Sequence, residues 1–457
     1  MVFSSLNFIF RFMPVFFLLY FIVPFRAKNC VLFLGSIVFY AFGEPKYVLL
    51  VLFSIVVNYF MALLMDRLAP RSPGRRFVLF LACLYDVGVL VLFKYTGFIM
   101  ENVNAVAGTD FPVPHIALPL GISFYTFQIM SYVIDVYRRT CPPERNILDL
   151  GTYLVMFPQL IAGPIVVYTD VAERLKERHI NLSSVENGLK LFTIGLGEKV
   201  IFANTLGNIW SACKEAGYES LSTPFAWLGI LAYSLQLYYD FGGYSLMAIG
   251  LGQMLGFSFP QNFRYPYSAY SVTDFWHRWH ISLTSWFREY VYIPLGGNRR
   301  GVFRTYINML IVWLITGFWH GAAWNFVAWG LYYFVLLSLE RAFLHRFFSK
   351  HRIVGRFCTL IAVMCGWVLF DAGSLSDAMV YLSRMFTIHG GTDFLPSLQT
   401  YWIFLVPACI LSFPVAEGFY RKFKKSPVCL VLLFAIFWLS VVLLVDAVYN
   451  PFLYFRF

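Results

Sequence analysis

Phe303-Arg-Thr-Tyr-Ile-Asn-Met-Leu-Ile-Val-Trp-Leu-Ile-Thr-Gly-Phe-Trp319 and Ala323-Trp-Asn-Phe-Val-Ala-Trp-Gly-Leu-Tyr-Tyr-Phe-Val-Leu-Leu-Ser-Leu-Glu340 are two apolar runs separated only by His320, Gly321 and Ala322. Each approaches the roughly 20 residues a helix needs to cross a hydrocarbon core of about 30 Å. The pair reads as a membrane-spanning hairpin with a histidine at its bend. Similar runs recur along the whole chain. With 59% hydrophobic, 20% aromatic and only 13% charged residues, and a mean hydropathy of +0.67, the composition excludes an ordinary soluble domain. Helices, not a barrel, are expected.

Spans are read at about 3–23, 29–43, 47–65, 77–98, 116–136, 188–211, 225–250, 303–319, 323–340, 357–371, 401–418 and 427–448. The fold class is therefore all-α and polytopic, with about 11–13 transmembrane helices. The first run has no basic stretch before it, carries Arg11 and shows no cleavage site, so it reads as a retained helix rather than a signal peptide. Domain organisation is expected to be a single integral-membrane unit over 1–457, with a core at about 116–340 flanked by helices in 1–115 and 341–457.

The net charge of +11 suggests an anionic partner until its placement is considered. The basic residues fall in short loops: Arg67, Arg71, Arg75 and Arg76; Arg138, Arg139 and Arg145; Arg299, Arg300 and Arg304; Arg346, Lys350, Arg352 and Arg356; Arg421, Lys422, Lys424 and Lys425. That pattern marks cytoplasmic loops and gives no reason to expect nucleic acid. The stretches 101–115, 213–223 and 387–400, nearly free of Lys and Arg, are then external. Eight scattered cysteines form no Cys-x-x-Cys pair, so neither a disulfide framework nor a metal site is indicated.

Two pieces do not read as ordinary spans. Residues 153–168 contain Pro158 and the Gly163-Pro164 pair and have basic segments on both sides, so they should enter the membrane and return. Residues 271–295 mix Trp276, Trp279 and Trp286 with His277, Arg278, His280, Arg288 and Glu289, as an interfacial amphipathic helix does.

Polar groups inside apolar runs are the candidates for chemistry. His320 is surrounded by Gly317, Gly321, Ala322 and Ala323, which admit either a substrate or another helix. His280 stands three residues after His277 and nearly on its face, as a reactive residue or as a head-group contact. Asp240 is the most centrally placed of the remaining charged residues, a group that includes Asp86, Lys94, Asp135, Lys190, Glu198 and Lys199. No nucleophile elbow, phosphate loop, zinc-protease motif or dinucleotide fingerprint is present.

Six ordered motifs then point to a family. They are Leu118-Pro-Leu-Gly-Ile-Ser-Phe-Tyr-Thr-Phe-Gln128, Phe157-Pro-Gln-Leu-Ile-Ala-Gly-Pro164, Tyr239-Asp-Phe-Gly-Gly-Tyr-Ser245, Trp279-His-Ile-Ser-Leu-Thr-Ser-Trp-Phe-Arg288, Tyr292-Ile-Pro-Leu-Gly-Gly-Asn-Arg299 and Thr316-Gly-Phe-Trp-His-Gly-Ala-Ala-Trp-Asn325. Across most of its length the chain resembles the membrane-bound O-acyltransferases, and among them the alginate O-acetyltransferase branch. The resemblance implies that His320 is the catalytic histidine and His280 the second motif histidine, and that the re-entrant piece belongs to the fold. Trp279, Trp319, Asn325 and Asp240 become supporting residues, and Arg278 and Arg288, with Arg299 and Arg300, candidates for donor phosphates. His277, Gly242, Leu246 and Asp371 depart from the branch's usual residues, which bears on acceptor choice or partner docking.

The reaction so implied moves an acetyl group from a cytoplasmic thioester, acetyl-CoA, towards hydroxyls of an extracytoplasmic polysaccharide, directly or through an esterase-like partner acetyltransferase. The expected location is the bacterial cytoplasmic membrane. No permanently bound cofactor and no metal are expected. D-alanyl or other acyl transfer from a carrier-protein thioester is the alternative within the class, and a non-enzymatic polysaccharide or lipid exporter the alternative outside it. The absence of internal repeats counts against the exporter.

Overall fold

The computed structural model describes residues 1–114, 116–161, 163–446 and 453. His115, Ala162, residues 447 and 448 of the last expected span, and the side chain of Arg421 lie outside that set. The described residues form helices and connecting turns, with no strand among them. Among the described residues, seven helices are long and apolar enough to cross a membrane: Phe25–Gly43, Pro45–Arg67, Pro73–Lys94, Val302–His320, Trp324–Lys350, Arg352–Asp371 and Pro427–Asp446. Phe8–Ile22 and Leu395–Leu411 are apolar but shorter. Ile122–Arg138, Leu182–Gly197 and Thr223–Met254, also expected as spans, are helical. They carry Gln128, Asp135, Lys190 and Asp240, all buried, which lowers their apolarity.

By contact the chain divides into two compact units, Met1–Leu189 with Ala248–Pro260, and Lys190–Met247 with Gln261–Phe457. In the first, Arg75 departs from the loop role its position suggests and is 2% exposed. Its guanidinium donates to the carbonyls of Met65 at 2.6 Å, Val136 at 2.8 Å and Tyr137 at 3.3 Å. Those carbonyls end the helices Val48–Arg67 and Ile122–Arg138, where the last turns lose their i+4 partners and Met65 and Val136 keep only the C-cap N–H groups of Leu68 and Arg139, at 3.3 and 3.1 Å. A forked donor satisfies both ends at once. Asp86 is likewise paired, accepting from Asn58 Nδ2 at 2.8 Å, so burial does not leave it isolated.

The expected re-entrant piece is broken where its prolines require. Ile147–Val155 ends at Met156, the single turn Phe157–Leu160 follows with Pro158 in its first turn, and a non-helical return leads to Tyr168–Lys176. The described residues from 149 to 166 are all buried, so protein covers the broken backbone. Tyr153 Oη closes the loop by donating to the carbonyls of Gln128 and Val166 at 3.1 and 3.0 Å. The flanks meet: Tyr168 Oη donates to Glu144 at 2.6 Å, and Lys176 Nζ reaches Glu144 at 2.8 Å and Asp149 at 2.6 Å. The segment therefore returns to the place it left.

Burial raises the Glu144 pKa, but hydrogen bonds from Lys176, Tyr168 and the Asn146 N–H outweigh it and hold the carboxyl below its ordinary value. A carboxylate with a depressed folded pKa stabilises above its unfolded pKa and loses that contribution as pH falls through the folded one. Glu144→Gln should cost about 1.5–3 kcal/mol at neutral pH. Thermal unfolding in detergent should show the gap to wild type closing below about pH 4; a gap independent of pH would contradict the charge-based tie.

In the second unit Val302–His320 and Trp324–Leu339 form the hairpin read from the sequence, packed at glycines. A Cβ on Gly317 would stand 2.3 Å from the Phe326 carbonyl oxygen, and one on Gly330 2.4 Å from that of Trp313. Backbone meets backbone there, as small residues allow. The stretch 271–295 is helical in pieces rather than continuous: Val272–Trp276, Ile281–Phe287 and the π-helical turn Arg288–Tyr292. The break falls at His280, which has φ of 46°. Segment 262–264 takes over the backbone pairing, with Ile281 N donating to Asn262 O and Arg264 N to Arg278 O, each at 2.9 Å.

Candidate functional site

His280 sits where two short helices meet and is 1% exposed. Its Nδ1 lies 3.1 Å from Asn262 Oδ1, and Phe241 meets its ring edge-on at 4.7 Å between centroids. Burial pushes its pKa down to about 3, so the imidazole is uncharged at neutral pH. His320 ends Val302–His320 and is 7% exposed. Trp329 and Phe370 pack edge-on to it at 5.1 and 5.2 Å. Trp319 flanks both histidines, 4.9 Å from the His320 ring and 6.3 Å from that of His280.

Both imidazoles line one cavity of about 450 Å³, together with Trp276, Trp279, Trp313 and Thr316. Its wall continues to His277, Arg288, Glu340, Arg341 and His345. The helix Trp324–Leu339, 16 residues long, separates the His320 bend from Glu340. At 1.5 Å per residue that is about 24 Å along its axis. The cavity wall thus runs from the two buried histidines and their indoles, along this helix, to Glu340, Arg341 and His345, and includes Arg288. A second cavity, of about 410 Å³, is lined by Arg288, Tyr292, Gly296, Gly297, Asn298, Arg299 and Arg300. Arg288 belongs to both walls.

A model of the membrane-bound O-acyltransferase family matches residues 144–370. The chain is 39% identical over 438 residues to the probable alginate O-acetylase AlgI of Azotobacter vinelandii, covering 93% of this chain and 87% of that protein. To the Pseudomonas putida protein of the same name it is 36% identical over 489 residues, with 100% of each covered. The chain belongs to the membrane-bound O-acyltransferase family. It is also 38% identical over 429 residues to the peptidoglycan O-acetyltransferase of Helicobacter pylori, covering 85% of this chain and 80% of that one. It is accordingly a multi-pass membrane enzyme that transfers an acyl group from a donor to a hydroxyl.

Within this acyltransferase, His320, His280, Trp279 and Arg288 gather at the first cavity, with Trp319 against both histidines. Asp240, Asn325 and Arg278, also singled out by sequence, line neither cavity. Asp240 is ion-paired with Lys199 and accepts from the Leu453 N–H at 2.8 Å; its neighbour Phe241 is what touches His280. Asn325 donates to the Ala372 carbonyl at 3.1 Å, tying the hairpin to the end of Arg352–Asp371 beside Phe370. Arg278 is held by Asp274 at 2.7 Å, four residues back on the same turn. Asp371 accepts from Trp210 Nε1 at 2.7 Å and ion-pairs with Lys214, so a carboxylate at this position has cationic and indole partners of its own.

Sequence reading missed Asn262 and Glu340. Asn262 lies in Pro260-Gln-Asn-Phe-Arg-Tyr-Pro266, where no periodicity directs attention. The signal available was a polar amide in a proline-bounded segment between apolar helices. Glu340 is 2% exposed, and its Oε2 accepts from the Val272 and Thr273 N–H groups at 2.7 and 3.2 Å. It opens a π-helical turn, Glu340–Leu344, and ties the start of the His280 segment to the hairpin carrying His320. Among the described residues no three of His, Cys, Asp or Glu come together as a metal-binding group.

Proposed function

We propose that this chain is an O-acetyltransferase of the bacterial cytoplasmic membrane, working as one catalytic domain, with acetyl-CoA as donor and extracytoplasmic polysaccharide hydroxyls, or a partner acetyltransferase, as acceptor. The observation that carries this reading is the single cavity whose wall holds two buried histidines together with Arg288, Arg341 and His345. A thioester on a long thin arm fits such a shape, its carbonyl at the histidines and its phosphates at the arginines. Arginine forks suit phosphate, and the adjoining cavity with Arg299 and Arg300 offers room for a nucleotide. The names of the relatives, alginate O-acetylase and peptidoglycan O-acetyltransferase, support acetyl as the group and a glycan as the destination.

In the proposed step His320 takes the acceptor's hydroxyl proton as its oxygen attacks the thioester carbonyl. The C–O bond forms, the C–S bond breaks, and the imidazolium returns the proton to the departing thiolate. The products are the acetyl ester and free thiol. A thioester is an activated donor, so orientation and one base supply what the reaction needs.

Reversing charge at Arg299 and Arg300 together should raise the donor KM about tenfold or more while changing kcat little. Both side chains are exposed, so the fold should be unaffected. Steady-state transfer from labelled acetyl-CoA checks this. An unchanged KM would mean that these arginines record topology alone, and transfer from a D-alanyl carrier protein in place of acetyl-CoA would replace the donor proposed here.

A further inference from the structure

Asn262 holds three groups on one oxygen. Its Oδ1 lies 3.3 Å from the Ser282 backbone N–H, 2.9 Å from Ser282 Oγ and 3.1 Å from His280 Nδ1. A backbone N–H only donates, so the atom facing it is the amide oxygen, and the orientation of the Asn262 amide is fixed by that contact. An oxygen acceptor beside Nδ1 requires the hydrogen to sit on Nδ1. In an uncharged imidazole the other nitrogen, Nε2, then carries the lone pair. The segment that presents this oxygen is itself held in place, since Asn262 is 1% exposed and its own carbonyl accepts the Ile281 N–H at 2.9 Å. Side chain and backbone of one residue together fix the turn on which His280 rides.

The ring keeps its neutral form because its setting is aromatic. Phe241 and Phe263 face it, with centroids 4.7 and 6.4 Å away, and Trp319 stands at 6.3 Å. These rings carry no negative charge to hold an imidazolium. His280 also lines the cavity that contains His320, so its ring forms part of the wall around whatever binds there.

We propose that Asn262 is a positioning residue that locks His280 as the Nδ1–H tautomer, so that His280 meets the substrates as a hydrogen-bond acceptor and not as a donor to the thioester carbonyl. This rests on the acyl-donor reading above and deepens it. The two histidines then differ in kind: His320 carries the proton during acyl transfer, while His280 orients an O–H or N–H group of a bound substrate. Stabilisation of the developing oxyanion falls to other donors.

The test uses the full-length chain in bilayers, with histidine ring nitrogens labelled with a heavy isotope and the His280 signals assigned by difference from a His280→Gln sample. The nitrogen spectrum at neutral pH should show the hydrogen on Nδ1 and the lone pair on Nε2; a hydrogen on Nε2 overturns the proposal. Asn262→Leu should lower kcat about 10²-fold with the donor KM unchanged. Full kcat in that variant would overturn the positioning role. Asn262→Asp preserves an acceptor oxygen and so guards against a folding failure in the leucine variant. Its added negative charge favours the imidazolium, so activity should fall as pH is lowered, with an acidic limb displaced upward from wild type. An identical pH profile overturns the proposal. Because the spectrum reads the resting protein, a failure to transfer acetyl from any thioester would count against the donor reading and leave the tautomer to be judged by its own signal.

Discussion

His320→Ala is expected to lower acyl transfer by about 10²–10⁴-fold, the usual contribution of a positioned general base. The loss should appear in kcat, since the side chain removed is the proposed proton acceptor and the arginines of the cavity wall are untouched. His320 is packed by Trp319, Trp329 and Phe370, so truncation to alanine also removes ring contacts. His320→Gln fills more of that space and retains a polar group while abolishing the base. The two variants should therefore differ in thermal stability yet share the catalytic loss. Activity in the glutamine variant near wild type, with the alanine variant inactive, would assign His320 to packing.

The second large effect is structural. Gly330→Val should destabilise the second unit by about 3 kcal/mol or more, at the upper end of overpacking penalties. The obstacle to its Cβ is the Trp313 carbonyl oxygen at 2.4 Å, part of a helix backbone and unable to swing aside as a side chain would. Relief requires the hairpin to open, which moves His320 away from Trp329 and Phe370. Thermal unfolding followed by tryptophan fluorescence should show a lowered midpoint, and the residual folded fraction should have impaired transfer. Wild-type stability would contradict the close backbone contact inferred for Gly317 and Gly330.

The sequence made much of this visible because membrane solvation imposes simple rules. A hydrocarbon core demands long apolar helices, so the hairpin bounded by His320 could be read from the two runs alone. Pro158 and Gly163 could be read as a break because proline removes a backbone donor, and the buried return between Glu144 and Lys176 follows. Local patterns could not show contacts made across the chain. The expectation of a continuous helix over 271–295 missed the turn at His280, since the competing hydrogen bonds come from segment 262–264. Asn262 was hidden for the same reason. Arg75 looked like one basic loop residue among several until two helix ends, at Met65 and Val136, converged on it. Asp240 drew attention as a costly buried charge, and the cost is offset by Lys199 and the Leu453 N–H rather than by a place at the cavity.

Acyl transfer through His320 is tested most directly with the purified full-length chain in proteoliposomes. Radiolabelled acetyl-CoA is confined to the side of the basic loops, and a hydroxyl-bearing glycan, with or without an extracytoplasmic acetyltransferase, is placed on the other. Label should reach the acceptor side with wild-type protein, and none above background with His320→Gln. Equal labelling by both proteins, or no labelling from any acetyl thioester by the wild type, would contradict the proposed reaction.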